Sequence, residues 1–394
     1  MRIAILTSGI LPVPAVRGGA VENLIDFYLE YNEQHRLHDI TIYSVADPGT
    51  RNHPALQSEV NHYYYLEMQS LWAKIKKAFF KQTHTGGYYH HSIEYYFHEA
   101  FRHIEQLDYD MIVLENRPAY ALRLAGKTNA KLVYHLHNDI LNQQTLQHQE
   151  LYNAANSIIT ISDYITRRVR TIQAEDTKCQ TVLNGINIAD FSCSEPLQVK
   201  RTDLGLKESD FVLSFSGRLI KEKGIKPLVE AMGLLESYRD IKLMILGSAD
   251  LGDSQVTTPF LQEVYEKAKD RNNILFTGYI NYQDMGHYLH LANVAVLPSL
   301  WEEPFGLTCA EALAARLPVI TTRQGGIPEV VNEECAILLD ATEELPHHLA
   351  EAILDLYHHP ERRQAMSNAA RCRSQLFSKQ LYAQEFFKAL EQVK

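Results

Sequence analysis

The sequence predicts an α/β protein built from two doubly wound parallel sheets. Three observations predict it. Short apolar runs recur along the chain and read as strands buried on both faces. Stretches with helical spacing separate them, which is the signature of parallel sheets covered on both sides. The alternation also runs as two series, broken by a polar stretch at 192–201 (SCSEPLQVKR). At ~150 residues per domain, 394 residues suit two or three domains, and the two series select two. The expected boundaries are 1–195 and 196–373, with a last helix at 374–394 packing back toward the first domain.

The first series opens with the apolar run 3–6, a strand. A loop carrying Gly9, Pro12, Pro14, Gly18 and Gly19 follows it. Val21, Leu24, Ile25, Tyr28 and Leu29 then repeat at helical spacing, and DITIYSV supplies a second strand. Further short strands are expected at 111–114, 131–135, 157–161 and 181–183. The second series comprises DFVLSFSGR, IKLMILGS, NILFTGY, VAVLPS, LPVITT and CAILLD. In the last helix, Leu376, Leu381, Phe386, Phe387 and Leu390 are expected to form the apolar side.

Composition narrows the function. The 48 Asp+Glu exceed the 38 Lys+Arg, a formal charge of 38 − 48 = −10. Nucleic-acid binders need a broad basic surface, so no nucleic-acid partner is expected. Five widely spaced cysteines, Cys179, Cys193, Cys309, Cys335 and Cys372, contain no CxxC pair. They read as reduced thiols rather than a disulfide framework or a zinc cluster, which suits the cytoplasm. The opening residues do not read as a secretory signal, and no stretch approaches the ~18–20 apolar residues of a membrane span.

The segment 62–101 stands apart. It holds HYYYLEMQSLWAKIKKAFFKQ and then GGYYHHSIEYYF. Leu71, Trp72, Ile75, Ala78 and Phe79 share one helical face, with Lys74, Lys76, Lys77 and Lys81 supplying charge. Such a helix (71–81) fits contact with an anionic membrane surface. It equally fits a helix packed on its own domain with lysines in solvent.

Two loops carry candidate chemistry. In PSLWEEPFGLTCAE (298–311), Glu303 falls in a loop and Glu311 inside the helix that follows, with Pro304 and Gly306 opening that helix. The first backbone N–H groups, at Phe305, Gly306 and Leu307, form an anion site. The plainer alternative is a solvated helix start favoured by the dipole. In SGRLIKEKG (216–224), Arg218 and Lys223 occupy a strand-to-helix loop at the carboxyl edge of a parallel sheet, where ligands bind. Two cations there suit a pyrophosphate, Arg as a fork and Lys as a point charge. Either residue alone would also serve as ordinary surface charge. His137 ends a strand two residues after His135, so the two share a face. Asp108-Tyr109-Asp110, a DxD triplet, precedes a strand at its amino end and so faces away from a ligand edge.

GRLIKEKG, the Glu303/Glu311 pair and GGIPEVV (325–331) together resemble the nucleotide-sugar-binding half of retaining glycosyltransferases of family 4. The first half agrees through Gly18, Gly19 and Glu22, His137 in YHLHND, Ser162 in ITISDYI, and NGIN at 184–187 followed by Phe191. The resemblance spans nearly the whole chain in order and is weakest over 50–105. It implies the GT-B architecture, two facing Rossmann-like domains with a cleft between them, with closure about the 192–201 stretch. It also implies roles. Arg218 and Lys223 hold the donor diphosphate and stabilise the leaving nucleoside diphosphate. Glu311 accepts from ribose hydroxyls, Glu303 from hydroxyls of the donor sugar, and the amides of Phe305, Gly306 and Leu307 meet sugar and phosphate oxygens. Gly18 and Gly19 let backbone approach the diphosphate. The backbone of Gly278 and Tyr279 reads the base, and His137 lies near sugar and acceptor, positioning them and stabilising charge.

By this resemblance the chain transfers a hexose or N-acetylhexosamine, from a UDP-sugar by preference, to a saccharide or lipid-linked acceptor in cell-surface polysaccharide or glycolipid synthesis. No cofactor and no metal are required, and no carboxylate is placed as a nucleophile. The setting is cytoplasmic, with contact at the inner membrane face if 71–81 lies on lipid. Alternatives on the same fold are a GDP-mannose-dependent mannosyltransferase, an inactive partner subunit and a nucleotide-sugar epimerase. An inactive subunit can lose Arg218, Lys223, Glu303 or Glu311, and all four are present here.

Overall fold

The structure, a computed structural model, describes residues 1–83, 90–192, 197–248 and 258–393. Contacts divide the chain into two compact units, 1–185 with 379–394, and 186–378. The first crossing, at 185–186, therefore comes about six residues before the polar stretch that marks it in the sequence. The short helix Ile188–Ser192 explains the shift. Its Phe191 is fully buried in the second unit, edge-on to Tyr282. Residues 193–196 of the stretch, Cys193 and the GGYY at 86–89 lie outside the described residues. The other four cysteines are free thiols.

In the first unit the strands are β1 (Arg2–Leu6), β2 (Asp39–Val45), β3 (Asn61–Leu66), β4 (Met111–Glu115), β5 (Lys131–Leu136), β6 (Ser157–Thr160) and β7 (Cys179–Thr181). All pair in parallel, in the order β3-β2-β1-β4-β5-β6-β7. Two differences from the sequence reading are informative. β7 runs 179–181 rather than 181–183; the Val182 amide still donates to the Thr160 carbonyl at 2.8 Å, and the chain leaves the sheet beyond it. β3 was not expected. Its tyrosines Tyr63, Tyr64 and Tyr65 are half-buried on an edge strand, so it lacks the continuous apolar run of its neighbours.

The helix Ala20–His35 buries Leu24, Ile25, Tyr28 and Leu29 on this sheet, beside the C-terminal helix Lys379–Glu391. Tyr28 stacks on Phe386 at 4.2 Å between centroids. Phe386, Phe387 and Leu390 are buried as the spacing predicts, but Leu376 and Leu381 are exposed. Residue 376 lies in the turn before the helix, and Tyr382 and Ala383 complete the buried i, i+4 stripe instead.

In the second unit the strands are β8 (Phe211–Ser216), β9 (Ile241–Leu246), β10 (Ile274–Gly278), β11 (Val294–Leu297), β12 (Val319–Thr322) and β13 (Ala336–Leu339). They form a second parallel sheet in the order β10-β9-β8-β11-β12-β13. The helices Ile225–Leu234 and Leu345–His358 contribute much of its apolar core. In both sheets the order of winding reverses once, between β1 and β4 and between β8 and β11. Adjacent loops diverge there and leave a crevice beyond the carboxyl ends, the ligand position of open α/β sheets.

The helix Leu71–Thr83 buries only Ala73 and Phe80. Leu71 and Trp72 are 74% and 73% exposed, and Ile75, Ala78 and Phe79 also face outward. The apolar face of this helix is therefore not packed on its own domain. Among the described residues no helix is long and apolar enough to cross a membrane.

Candidate active site

In the second unit the reversal point is built from two interlocked loops. The loop after β8 carries Gly217, an exposed Arg218 and Lys223, and ends at Gly224, which caps the helix Ile225–Leu234. The loop after β11 carries Pro298–Gly306. Gly224 has φ +71, and a Cβ there would fall 1.8 Å from the Pro298 carbonyl oxygen. Only glycine permits that approach. The Leu300 amide donates to the Glu222 carbonyl at 2.8 Å, and Ser299 Oγ lies 3.2 Å from the same carbonyl oxygen. The backbone contacts bring the side chains together. Lys223 Nζ donates to Glu303 Oε1 at 2.5 Å, and Ser299 Oγ donates to the same oxygen at 2.9 Å. Arg218 makes no side-chain hydrogen bond or ion pair among the described residues.

Behind this pair, Gly325 and Gly326 press against the Glu303 backbone. The Gly326 amide donates to its carbonyl at 2.7 Å, and a Cβ on Gly325, at φ +56, would meet that oxygen at 2.1 Å. The GGIPEVV motif thus fixes where Glu303 sits. Gly306, at φ +107, precedes the helix Leu307–Ala314. Amides at such a start lack intrahelical partners. The Phe305 side chain is buried against Phe377, so that residue offers backbone rather than ring.

Glu311 is buried on the helix and accepts from the Tyr282 hydroxyl. Burial pushes its carboxyl up to about 7, against the lowering pull of Tyr282 and Lys223. Gly278 and Tyr279 stand at the end of edge strand β10. The Gly278 carbonyl already accepts from the Gly247 amide at 3.0 Å, and the Tyr279 side chain is exposed.

In the first unit Gly18 (φ +69) and Gly19 (φ +112) end the loop after β1. A Cβ on Gly19 would lie 2.3 Å from Glu22 Oε2 and 2.9 Å from Leu11 Cδ1. Glu22 is buried, accepts from Ser8 Oγ at 3.3 Å, and is raised by burial. Ser162 caps the helix Asp163–Arg170 by accepting from the Ile165 amide. Asp110 of the DxD triplet lies at the amino end of β4, accepting from the Arg2 amide at 2.7 Å.

His137 follows β5 and is buried with His135 and Glu115. Its Nε2 lies 2.7 Å from Glu115 Oε2, and His135 Nδ1 lies 3.0 Å from the same oxygen. Tyr28 donates to Glu115 Oε1 at 3.0 Å. Burial works to raise the Glu115 carboxyl, but the histidines outweigh it and hold the group at about 2. Burial, then the neighbouring His135, lowers His137 to about 4. Burial thus favours the neutral form of His137 beside the Glu115 carboxylate.

The ligand atoms of Glu115, His135 and His137 lie within 4.8 Å of one another, a spacing that could hold a metal ion. A metal-bound imidazole ordinarily donates its outer N–H to an acceptor. Here the outer atoms, His135 Nε2 and His137 Nδ1, are buried without a partner, so the cluster reads better as one carboxylate accepting from two imidazoles.

Sequence reasoning missed Glu115, Ser299 and Tyr282. Glu115 had a signal, a carboxylate closing the apolar strand MIVLE. Ser299 and Tyr282 had none. A cavity of about 540 Å³ also went unforeseen. It lies beyond β1, β2 and β3, lined by Gly9, Leu11, Asp47, Met68, Lys77 and Ser92 among others.

Comparison with known proteins agrees with this geometry. Residues 198–373 match the family described as glycosyl transferases group 1. The chain is 26% identical to spore coat protein SA of Bacillus subtilis (strain 168), over 94% of each chain. It is 28% identical to the putative glycosyltransferase YtcC of the same organism, over 90% of this chain and 82% of the relative. Among solved structures, Anabaena Alr3699/HepE, in complex with UDP and glucose, superposes with a TM-score of 0.72 at 20% identity, covering 100% of both chains. The family match thus covers most of the second unit, and the fold is that of the GT-B glycosyltransferases.

Proposed function

We propose that this chain is a retaining glycosyltransferase of the family 4 type, moving a hexose or N-acetylhexosamine from a UDP-sugar to a hydroxyl of a saccharide or lipid-linked acceptor. The observation that carries the reading is the Lys223–Glu303–Ser299 cluster at the β8/β11 reversal, beside Arg218. A lysine held by a carboxylate and an arginine without a partner among the described residues suit a ligand that brings its own negative charge. The UDP complex of the structural relative supports a uridine nucleotide.

In this account Arg218 and Lys223 take the diphosphate. Phe305, Gly306 and Leu307 offer amides, Glu311 accepts from the ribose, and the backbone at Gly278–Tyr279 meets the base. Lys223 turns from Glu303 to phosphate as the donor binds, which frees Glu303 to accept from sugar hydroxyls. The bond from C1 to the diphosphate oxygen breaks, and the acceptor oxygen bonds C1 from the same face. The acceptor proton passes to the leaving phosphate oxygen. Orientation and charge stabilisation are the protein's contribution, and no metal is required.

The cavity beyond β1–β3 suits the acceptor, and the exposed Leu71, Trp72, Ile75 and Phe79 suit a cytoplasmic lipid surface carrying it. The test is a thermal-shift panel of UDP, GDP and their sugars with and without EDTA, followed by NMR of the product anomer. A shift with UDP and one UDP-sugar, unchanged by EDTA, and a product of retained configuration support the proposal. A response to GDP alone would transfer it to mannosyl chemistry. No nucleotide response at all would overturn it.

A further inference from the structure

We propose that Glu115 is a positioning residue that fixes His137 as the Nε2–H tautomer, so that Nδ1 presents a lone pair to a sugar hydroxyl. This rests on the glycosyltransferase reading above but concerns a residue which that reading does not use.

The argument begins with register. β4 and β5 pair with Glu115 opposite His135, and His137 follows two residues on. One buried carboxylate thus meets both rings, which lie 4.2 Å apart between centroids. An ionised carboxylate only accepts. Each imidazole that meets it must therefore turn an N–H toward it, His137 through Nε2 and His135 through Nδ1. Tyr28, on the helix Ala20–His35, donates to the other oxygen. Tyr382, on the C-terminal helix, faces the carboxylate as well, and Glu22 adds a weaker negative charge from the helix start. With Nε2 committed, the remaining His137 nitrogen is an acceptor.

That acceptor has no partner, and it is buried. A buried polar atom without a partner carries a penalty that a ligand removes. It sits just beyond the carboxyl end of β5, in the unit whose glycine turn closes the same edge. The hydrogen bond from Nε2–H to the carboxylate also raises the basicity of the opposite nitrogen. A sugar hydroxyl is the matching donor.

Glu115→Gln separates positioning from bulk. It preserves size but replaces one acceptor oxygen with a donor nitrogen, and a tautomer is then free to change, as it does when the triad aspartate of a serine protease is replaced by asparagine. The measurement is 15N NMR of protein labelled at histidine, with His137→Gln to identify the signals, alongside hydrolysis of UDP-glucose. In the wild type His137 should appear as the Nε2–H tautomer. In Glu115→Gln it should shift toward Nδ1–H, with kcat down about 10²-fold and KM for UDP-glucose nearly unchanged. Tyr28→Phe, which leaves the two imidazole contacts in place, should keep the wild-type tautomer. An Nδ1–H tautomer, a cationic ring or metal-shifted ring signals in the wild type would overturn the proposal. So would an unchanged kcat in a folded Glu115→Gln. If UDP-glucose is not turned over while the Nε2–H tautomer is seen, the choice of donor fails and the tautomer assignment stands.

Discussion

The two sheets present their carboxyl edges differently. In the second unit Arg218, Lys223 and Glu303 sit in loops, the arginine exposed and the lysine partly so, while Glu311 is buried on the helix that follows. In the first unit they are interior. Glu115 and His135 have no exposed surface, and His137 nearly none. The first kind of site is open to a charged ligand and exchanges internal pairs for ligand pairs. The second is preorganised and holds its proton pattern before anything binds. On the proposed function, one edge would supply affinity for the donor and the other geometry.

The largest expected effect that would break this division is on the loop side. Lys223→Ala and Arg218→Ala should each lower kcat by about 10²–10³-fold, as removing a group that stabilises developing charge does. Both should also abolish the UDP thermal shift. Loss of turnover with the UDP shift retained would mean that these side chains do not hold the diphosphate.

Glu311 sharpens the comparison through pH. Its carboxyl is raised from 4.5 to about 7 in the folded protein. The folded state therefore binds more protons than the unfolded state between those values, and stability falls as pH rises through that window. At ~1.4 kcal/mol per unit the whole effect is about 3 kcal/mol at most. Glu311→Gln should flatten that slope in chemical denaturation between pH 5 and 8. Asp26, raised by burial to about 7 in the first unit, leaves a slope of the same sign. If ribose hydroxyls donate to an ionised Glu311, UDP binding near pH 6.5 releases a proton. Calorimetry in two buffers of different ionisation enthalpy measures it, and proton uptake would count against that role.

On the interior side Gly19→Ala should destabilise by roughly 1–3 kcal/mol. The new Cβ meets Glu22 and Leu11, and the backbone there is in a region costly for other residues. The smallest effect belongs to the exposed helix. Leu71→Ser with Trp72→Ser should shift stability by under about 0.5 kcal/mol, because neither residue is buried. Binding to anionic vesicles should be lost all the same. A large fall in Tm would show that this face is packed after all.

The same contrast explains how much the sequence disclosed. Loop sites are local in sequence. GRLIKEKG and PSLWEEPFGLTCAE each carry their charges, glycines and helix start within a dozen or so residues, so Arg218, Lys223, Glu303 and Glu311 could be picked out without coordinates. The alternation of buried strands likewise disclosed both sheets. The interior site is not local. Glu115 and His137 lie 22 residues apart, and only the pairing of β4 with β5 brings them together. Ser299 looks like any loop serine until Glu303 folds back upon it. β3 hid because an edge strand of half-buried tyrosines does not resemble a buried run. The helix Leu71–Thr83 left two readings open because an apolar stripe has the same spacing whether it meets protein or lipid.

The most direct test of the central claim is hydrogen–deuterium exchange of the whole chain with and without UDP. The account predicts slower exchange in 217–224 and 299–311, with the Gly18–Gly19 turn also protected. The strand ends at 115 and 137 should change little, because their network is already formed. Protection confined to 115–137, with 217–224 and 299–311 unaffected, would contradict it.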